Sequence, residues 1–343
     1  MGATLSQFFP PTPSLTESNL PSQQGRTFLI TGGYSGVGLE LSKILYSAGG
    51  NVYIAGRSET SARATIEEIK AGAKNVERVG DLSFLYLDLS DLSAIKGSAT
   101  EFLAKEERLD VLFNNAGVSQ PPGGSVSKQG HELQMATNCL GPFLFTSLLL
   151  PVLRKTAASS NTSEGSVRIV WTSSQVVDLS APTGGLVMQE LDTPPKDNVR
   201  NYVNSKTGNW FLASEFGKQM KNNGILSLVQ NPGNLKTNLM RNKLWMMYMS
   251  YPLLYPGKLG AYTALWAGVS HELNLGDSGG YGLSPKSTLA FMPLSHVTLI
   301  PWGRKHPGPR VDLLDALKTI EEAGTGRANE FWKWCVAKTV DYS

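Results

Sequence analysis

From residue 26 onward, short apolar runs alternate with amphipathic stretches, and this alternation constrains the fold more than any other feature of the sequence. Runs rich in β-branched residues predict strands, and apolar residues at three-and-four spacing predict helices. Because right-handed crossovers place helices on both faces of a sheet, the pattern predicts a doubly wound parallel sheet in a three-layer α/β/α domain. Ligands of such a domain bind beyond the carboxyl ends of the strands. The predicted strands span 27–31, 51–55, 83–87, 111–114, 167–172 and 225–230, and the predicted helices span 39–48, 60–71, 91–106 and 128–150.

The two ends of the chain differ from this alternation. Residues 1–25 are rich in Pro, Ser, Thr and Gln, so we expect an extended arm before a domain that spans 26–285. Helical patterns at 311–322 and 329–338 predict that 286–343 form a C-terminal helical extension. We expect this extension to pack on or near the ligand pocket.

Composition excludes several classes of function. A formal net charge of +3 and scattered basic residues argue against nucleic acid binding. Cys139 and Cys335 lie far apart in sequence, so we expect neither a disulfide framework nor a cysteine metal site. His131 and His271 each begin an H-E-x-x-H pattern but lack its second histidine, and we expect no metal. These features predict a protein of a reducing, cytoplasmic compartment.

The N-terminus leaves one alternative open on the membrane. Gly2, which follows the initiator methionine, and Ser6 fit the loose pattern for N-myristoylation. A single acyl chain binds membranes weakly and reversibly, so weak peripheral membrane association is compatible with the sequence. No uninterrupted apolar run reaches the roughly 18 residues that are needed to cross a bilayer.

A cluster of glycines follows the first predicted strand and leads into a helix. Glycine lets phosphate oxygens approach the backbone closely, and a helix N-terminus supplies amide donors and a positive dipole. In this strand-turn-helix context the cluster predicts a site for the phosphates of a dinucleotide. Its candidate residues are Gly32, Tyr34, Ser35, Gly36, Val37 and Gly38.

Arg57 follows the second predicted strand. At this place an NAD-binding protein carries a carboxylate for the adenosine ribose, and an NADP-binding protein carries a cation for the 2′-phosphate. The first nearby carboxylate in the sequence is Glu59. Arg57 therefore favours NADP(H), although an arginine at a helix start also has a purely solvated interpretation.

Tyr202 and Lys206 are four residues apart in a helical pattern, so both side chains project from one face of the helix. A tyrosine near its reference pKa of about 10 is a poor base at neutral pH. A nearby ammonium group stabilises tyrosinate and lowers that pKa. The pair can then act as a general acid or base.

Further polar motifs occupy the ends of other predicted elements. They are Asn114-Asn115-Ala116-Gly117, Asn138, Thr172-Ser173-Ser174 and Pro232-Gly233-Asn234-Leu235-Lys236-Thr237. Together with the glycine cluster and the tyrosine-lysine pair, in this order, they resemble the classical short-chain dehydrogenase/reductase family. The resemblance covers residues 26 to 283 and implies a Rossmann-type domain.

The resemblance implies a role for each residue of the site. Tyr202 would donate or accept the proton, Lys206 would lower its pKa and bond the nicotinamide ribose, and Ser174 would hold the substrate oxygen. Ser173 is the weaker candidate, and Asn138 would hold a water that links Lys206 to solvent. Cofactor contacts are implied for Asp88, Leu89, Asn115, Ala116, Gly117, Pro232, Gly233, Leu235 and Thr237.

Some features depart from the compact members of the family. The gap between Ser174 and Tyr202 is long and is more similar to the retinol-dehydrogenase-like branch, whose substrates are bulky and apolar. Tyr34 is large for a glycine loop. The Pro- and Gly-containing residues 175–198 predict a long loop, and 239–256 are rich in Met and aromatic residues. The latter segment is interpreted as a substrate lid, a membrane or subunit contact, or a buried helix.

The resemblance thus predicts hydride transfer between NADP(H) and a carbonyl or alcohol on a hydrophobic small molecule such as a retinoid, steroid, lipid or polyketide-like compound. A tailoring ketoreductase of secondary metabolism is an alternative within the same class. A non-catalytic NADP(H)-binding sensor or scaffold is an alternative of another class. Family members are often oligomeric, so a homodimer is compatible with the sequence, although the C-terminal extension could block the usual interface.

Overall fold

The structure, a computed structural model, describes residues 6–74, 76, 79–236, 254–278 and 298–343. The sequence-based interpretations of Gly2, of Thr237 and of most of the segment 239–256 lie outside these residues. The boundary of the domain at 285 also lies outside them and stays a prediction.

The central sheet contains the six predicted strands in the predicted parallel arrangement, together with two short strands that were not predicted. Within the described residues it contains eight strands in the order β10-β9-β6-β5-β4-β1-β2-β3, and neighbours are parallel except β10 with β9. Four predicted strands match the observed bounds, whereas the third begins and ends earlier than expected. The strands are β1 Thr27–Thr31, β2 Asn51–Gly56, β3 Asp81–Tyr86, β4 Val111–Asn114, β5 Val167–Thr172, β6 Ile225–Gln230, β9 Thr298–Ile300 and β10 Arg304–Lys305, and a separate pair is formed by β7 Leu235–Lys236 and β8 Tyr255–Pro256.

Helices connect the strands and cover both faces of the sheet. They are α1 Gly36–Ser47, α2 Glu59–Gly72, α3 Leu92–Lys105, α4 Leu133–Met135, α5 Gly141–Ala157, α6 Val176–Ser180, α7 Gln189–Asp192, α8 Asn198–Met220, α9 Gly257–Val269, α10 Val311–Leu317 and α11 Arg327–Thr339. Asp91 is the N-cap of α3, as the sequence predicts, and its carboxylate accepts from the backbone N–H of Ser93.

Two apolar cores lie on opposite faces of the sheet. One packs α1, α2 and α9 against the sheet and includes Phe28, Ile54 and Trp266. The other packs α3, α5, α8 and α11 and includes Trp171 and Phe216. Apolar runs that are buried on both faces are the pattern expected of parallel strands. The predicted three-layer, Rossmann-type doubly wound fold is therefore confirmed.

The long helix predicted over 128–150 begins later and is interrupted. It starts at Leu133, passes through a π-helical turn at Ala136–Leu140 and continues as α5 to Ala157. The stretch Leu133–Ala157 is long and apolar enough to cross a bilayer, but 72% of its most apolar window is buried inside the protein. It is therefore a core helix of the domain.

Two other predictions of local structure were wrong in part. The segment 175–198 is not a plain loop, because it contains the short helices α6 and α7. Arg310 donates to the carbonyl oxygens of Val177 and Ala181 at the end of α6, a contact that local sequence cannot reveal. The helix predicted over 311–322 ends at Leu317.

The described residues of the N-terminal arm are held against the domain. Gln7 is 2% exposed, and Glu17 pairs with Lys258 and accepts from the hydroxyl of Tyr262 on α9. Arg304 donates to the carbonyl oxygen of Ser6. The extended arm expected from composition is thus fixed along the domain by buried and charged contacts.

The C-terminal helices pack on two places. In α10, Asp312 accepts from the backbone N–H of Gly184, in the segment that follows α6. In α11, Phe331 is fully buried against α8, and Trp332 packs edge-on against Phe143 of α5 and Phe216 of α8. The extension therefore covers the outer face of α5 and α8 as well as the segment between α6 and α7.

Candidate active site

The glycine loop joins β1 to α1 at the carboxyl edge of the sheet. Gly32 and Gly36 have φ values of +69° and +53°, which side chains rarely adopt. A Cβ on Gly38 would lie 2.7 Å from Nδ2 of Asn115, so the helix can approach the next loop only with glycine here. Ser35 is the N-cap of α1 but makes no side-chain cap hydrogen bond. The first-turn amides, including that of Val37, are therefore left for another acceptor.

The loops that follow β1 and β4 are tied together by Thr31. Its hydroxyl accepts from the backbone N–H groups of Asn115 and Ala116 at 3.0 and 2.9 Å, and Asn115 Nδ2 donates to the Thr31 carbonyl oxygen. Thr31 is fully buried. Sequence reasoning identified Asn115, Ala116 and Gly117 but missed Thr31, whose position at a strand end beside the glycine loop was the available signal.

Arg57 lies exposed directly after β2. No carboxylate in the described part of the chain forms an ion pair with Arg57. The nearest carboxylate in the sequence, Glu59, pairs instead with Arg63. Tyr34 lies over Gly56, where any Cβ would overlap its ring. The cation of Arg57 and the ring of Tyr34 therefore lie next to each other in the chain fold, at the edge of the sheet where the adenosine end of a dinucleotide binds in doubly wound domains.

Asp88 and Leu89 follow β3 but differ in which of their groups a ligand could contact. The Asp88 carboxylate accepts from both the backbone N–H and the hydroxyl of Ser90. Leu89 is 4% exposed, and its side chain belongs to the core on the α3 side of the sheet. A ligand at this edge could meet the backbone of Leu89 but not its buried side chain.

Tyr202 and Ser174 meet at the carboxyl end of β5. A side-chain hydrogen bond joins them, and burial raises the pKa of Tyr202 to about 12 while that hydrogen bond opposes the rise. Ser173 points elsewhere, because its hydroxyl donates to the Lys206 carbonyl oxygen at 2.8 Å. Of the two serines, only Ser174 is placed to share an oxygen ligand with Tyr202.

Lys206 lies one helical turn after Tyr202 on α8. Its Nζ is 5.6 Å from the centroid of the Tyr202 ring and donates to the Thr172 carbonyl oxygen at 3.0 Å. Burial lowers the pKa of Lys206 to about 8. The downward pKa shift expected for Tyr202 is not found here, because desolvation of the phenol dominates and the ammonium group is held on the backbone.

Asn138 lies in the π-helical turn and is 1% exposed. Its side chain pairs with both backbone groups of Val118, and its Nδ2 also donates to the Ser205 hydroxyl. A Cβ on Gly117 would lie 3.1 Å from Asn138 Oδ1 and 3.4 Å from Lys206 Nζ. Asn138 therefore joins the loop after β4 to α8 next to Lys206, and its water-holding role stays a prediction.

The loop after β6 forms the remaining side of the site. Asn231 accepts from the backbone N–H of Gly233, which has a φ of +90°. Pro232 and Gly233 are partly exposed, and Leu235 is buried against α9 at Gly260. Sequence reasoning missed Asn231, although it directly precedes the predicted motif.

Comparisons with known proteins find relatives that match along almost the whole chain. Residues 26–185 match the family model described as short chain dehydrogenase. A short-chain dehydrogenase/reductase of Pestalotiopsis fici is 41% identical over 333 residues, which cover 96% of this chain and 95% of that protein. One of Phomopsis amygdali is 42% identical over 342 residues, 98% of this chain and 96% of that protein.

Solved structures share the fold. An uncharacterized protein from Mycobacterium paratuberculosis matches with a TM-score of 0.65 and 24% identity over 96% of this chain and 98% of that one. Pseudomonas aeruginosa RhlG, in an NADP active-site complex, matches with a TM-score of 0.54 and 25% identity over 71% of this chain and 88% of that one. The chain carries the glycine loop, the serine and the tyrosine-lysine pair in one site, and with relatives that match along almost its whole length it belongs to the short-chain dehydrogenase/reductase family of oxidoreductases.

Proposed function

We propose that this chain uses NADP(H) to interconvert a carbonyl and an alcohol on a hydrophobic small molecule, with Tyr202 as the general acid or base. The observation that carries the proposal is the group of Tyr202, Ser174 and Lys206 at the carboxyl edge of the sheet. This edge is where doubly wound domains bind their ligands. A scaffold without turnover would have no need for a buried lysine beside a serine-bonded tyrosine.

The residues present fit a dinucleotide that carries a 2′-phosphate. The uncapped N-terminus of α1 offers amide donors for a pyrophosphate. Arg57 is an exposed cation without a carboxylate partner among the described residues, which suits a phosphate on the adenosine ribose. NADP in the complex of Pseudomonas aeruginosa RhlG supports the same choice by similarity.

The protein's own residues orient the substrate and move the proton. Bound NADPH would supply the hydride. Ser174 and Tyr202 together can hold a carbonyl oxygen by two hydrogen bonds, which positions the carbon and stabilises negative charge on the oxygen as it develops. Tyr202 then donates its proton to that oxygen. The ammonium group of Lys206 keeps a positive charge near the Tyr202 ring.

Reduction is the direction that we propose for the cell if NADPH is the partner. With a pKa of about 12, Tyr202 is a protonated phenol at neutral pH, the form that donates a proton to a carbonyl oxygen. The same residues catalyse the reverse reaction, so the net direction follows from the supply of NADPH and of the carbonyl compound.

The substrate class rests on sequence composition. The Met- and aromatic-rich residues 239–256 suit an apolar ligand, but all except 254–256 lie outside the described residues. Assignment to the retinol-dehydrogenase-like branch also stays a prediction. A tailoring ketoreductase of secondary metabolism remains the alternative within this chemistry.

The test is titration of the purified protein with NADPH and NADH, followed by NADPH consumption with a panel of hydrophobic ketones and aldehydes. We expect tighter binding of NADPH and turnover of at least one class of carbonyl. Tyr202→Phe should abolish turnover and spare NADPH binding, whereas retained turnover would refute the acid role. Binding without turnover on a broad panel would favour the sensor alternative.

Cofactor choice has its own test. Arg57→Ala removes one charge-assisted contact, so we expect NADPH to bind about 10- to 100-fold more weakly while NADH changes little. Lys70→Ala, which removes an exposed lysine from the last turn of α2, is the matched control. Equal losses for both cofactors would refute the phosphate role of Arg57.

A further inference from the structure

A buried polar cluster lies beside the site and takes no part in the proposed chemistry. It joins four segments of the chain: the N-terminal arm through Gln7, α6 through Asp178, the loop after β6 through Asn231 and the residue after β10, His306. Gln7 and Asn231 are 2% and 4% exposed, and the side chain of His306 is 4% exposed. Burying such polar groups costs free energy unless they form hydrogen bonds, so the role of the cluster follows from its hydrogen-bond partners.

The hydrogen bonds that link Gly233, Asn231, Gln7 and Asp178 run in one direction. The backbone N–H of Gly233 donates to Asn231 Oδ1 at 3.0 Å, which leaves Asn231 Nδ2 to donate to Gln7 Oε1 at 2.8 Å. Gln7 therefore presents Nε2 to the far side, where Asp178 Oδ2 lies at 3.5 Å and His306 Nε2 at 3.2 Å. The arm thus forms one link in a chain of donors that starts at the loop after β6.

His306 borders the cluster on this side. The backbone N–H of Gly308 donates to His306 Nδ1 at 3.1 Å. His306 Nε2 lies 3.2 Å from Gln7 Nε2 and 3.2 Å from Asp178 Oδ2. Asp178 Oδ2 accepts from Gln7 Nε2, so the carboxylate and the imidazole ring together surround the Gln7 amide.

The backbone of the arm is clamped on both sides of Gln7. Arg304 donates to the Ser6 carbonyl oxygen at 2.8 Å, and the Tyr255 hydroxyl donates to the Phe8 carbonyl oxygen at 3.0 Å. Gly233 rests against Pro301 and Trp302, which precede Arg304. The arm and the loop after β6 are therefore supported by the same strand edge.

We propose that Gln7 is a positioning residue, which holds the loop after β6 in the conformation that covers the nicotinamide end of the cofactor. It acts through Asn231 on Gly233 and touches neither cofactor nor substrate. The inference rests on the proposed function, because it takes the Pro232–Gly233 loop to be the part of the site that closes over the nicotinamide.

The experiment compares two ligands that share the adenosine end. NADPH carries the nicotinamide, whereas adenosine 2′,5′-bisphosphate carries the 2′-phosphate but no nicotinamide. Gln7→Met keeps the volume of the side chain and removes its hydrogen bonds. We expect NADPH to bind about tenfold more weakly and the bisphosphate to bind unchanged. The exposed arm residue Gln24 supplies the control, and Gln24→Ala should leave both affinities unchanged.

A charge exchange covers the case in which Gln7→Met does not fold. Gln7→Glu places a second carboxylate next to Asp178 and should weaken NADPH by about tenfold or more. Adding Asp178→Asn restores an amide-carboxylate pair with its roles reversed, and we expect NADPH affinity to return to within about threefold of the wild type.

The outcomes are separable. Failure of the wild-type protein to bind either NADPH or the bisphosphate would remove the proposed function itself. Wild-type binding of both, with equal weakening of both by Gln7→Met, would reduce Gln7 to a purely structural residue. Unchanged NADPH affinity in both Gln7 variants would overturn the inference directly.

Discussion

Ser173 and Ser174 are neighbours with different partners: the Ser173 hydroxyl donates to the Lys206 carbonyl oxygen at 2.8 Å, and the Ser174 side chain is hydrogen-bonded to the Tyr202 side chain. Successive side chains point in opposite directions at the end of β5, so the Ser173 hydroxyl faces the backbone of α8 and the Ser174 hydroxyl faces the site. One serine therefore fixes the helix that carries Tyr202, and the other shares its oxygen ligand. This division leads to a direct comparison between the two.

We expect Ser174→Ala to lower kcat/KM by about 100-fold or more, because it removes a donor aimed at the developing oxyanion. Ser173→Ala should instead lower the free energy of unfolding by about 1 kcal/mol, with a smaller effect on turnover, since it removes a buried hydrogen bond to the backbone. Steady-state kinetics and chemical denaturation of both variants check this. Equal kinetic losses would contradict the assignment of Ser174.

The pH dependence of reduction should follow Lys206. Its pKa of about 8 means that the ammonium charge is present below that pH and is lost above it, whereas Tyr202, with a pKa of about 12, stays protonated throughout. We expect kcat/KM for carbonyl reduction to fall as the pH rises through about 8. The profile is measured at saturating NADPH with the folded state monitored in parallel, and a flat profile to pH 10 would argue against a role for the charge.

Lys206→Met should stabilise the protein while it abolishes turnover. Burial lowers the lysine pKa from 10.5 to about 8, so the charged form favours the unfolded chain. Its hydrogen-bond acceptor stays satisfied, because Asn209 also donates to the Thr172 carbonyl oxygen at 2.9 Å. We expect a gain of about 1 to 2 kcal/mol at pH 7.

The sign of the pH effect separates this explanation from simple repacking. The wild type gains stability as the pH rises from 8 towards 10.5, since the unfolded chain then holds the extra proton. The advantage of Lys206→Met should therefore shrink between pH 7 and pH 9.5 in denaturation experiments. An advantage that does not change with pH would point to packing alone.

The contact between Gly56 and Tyr34 gives a fourth prediction. Because a Cβ on Gly56 would overlap the Tyr34 ring, Gly56→Ala must displace the tyrosine beside Arg57. We expect a loss of about 1 to 3 kcal/mol in stability and weaker NADPH binding, measured by denaturation and titration. Gly97, in the middle of α3, has open space around its Cβ position. Gly97→Ala should instead stabilise by about 0.5 to 1 kcal/mol, and a similar loss in both variants would contradict the steric argument.

The central strands could be predicted because their burial leaves a clear local pattern. The observed bounds of β1, β4, β5 and β6 are the predicted ones, and all residues of these strands are buried. β9 and β10 were not predicted, because both are short, β9 pairs with the distant strand β6, and β10 is in the sheet only through its pairing with β9. The π-helical turn at Ala136–Leu140 also left no signal in a continuous apolar spacing.

The site shows the same division between local and distant information. Tyr202, Lys206 and Ser174 were identified because their order and spacing form motifs. Two residues that hold the surrounding loops were missed, because their partners are far away in sequence: Thr31 accepts from the backbone N–H groups of Asn115 and Ala116, and Asn231 donates to Gln7. Gln7 lies in an arm whose composition suggested no contact with the site at all. The raised pKa of Tyr202 likewise depends on burial that spacing does not reveal.

The packing of α11 on α5 and α8 also makes the support of the site independent of the protein concentration. Phe331 and Trp332 cover the outer face of the helix that carries Tyr202 and Lys206, and they belong to the same chain. An intramolecular contact has an effective concentration that is fixed by the fold and not by the amount of protein in solution. Support of α8 through this face therefore persists at any protein concentration, including the low concentrations used in turnover assays.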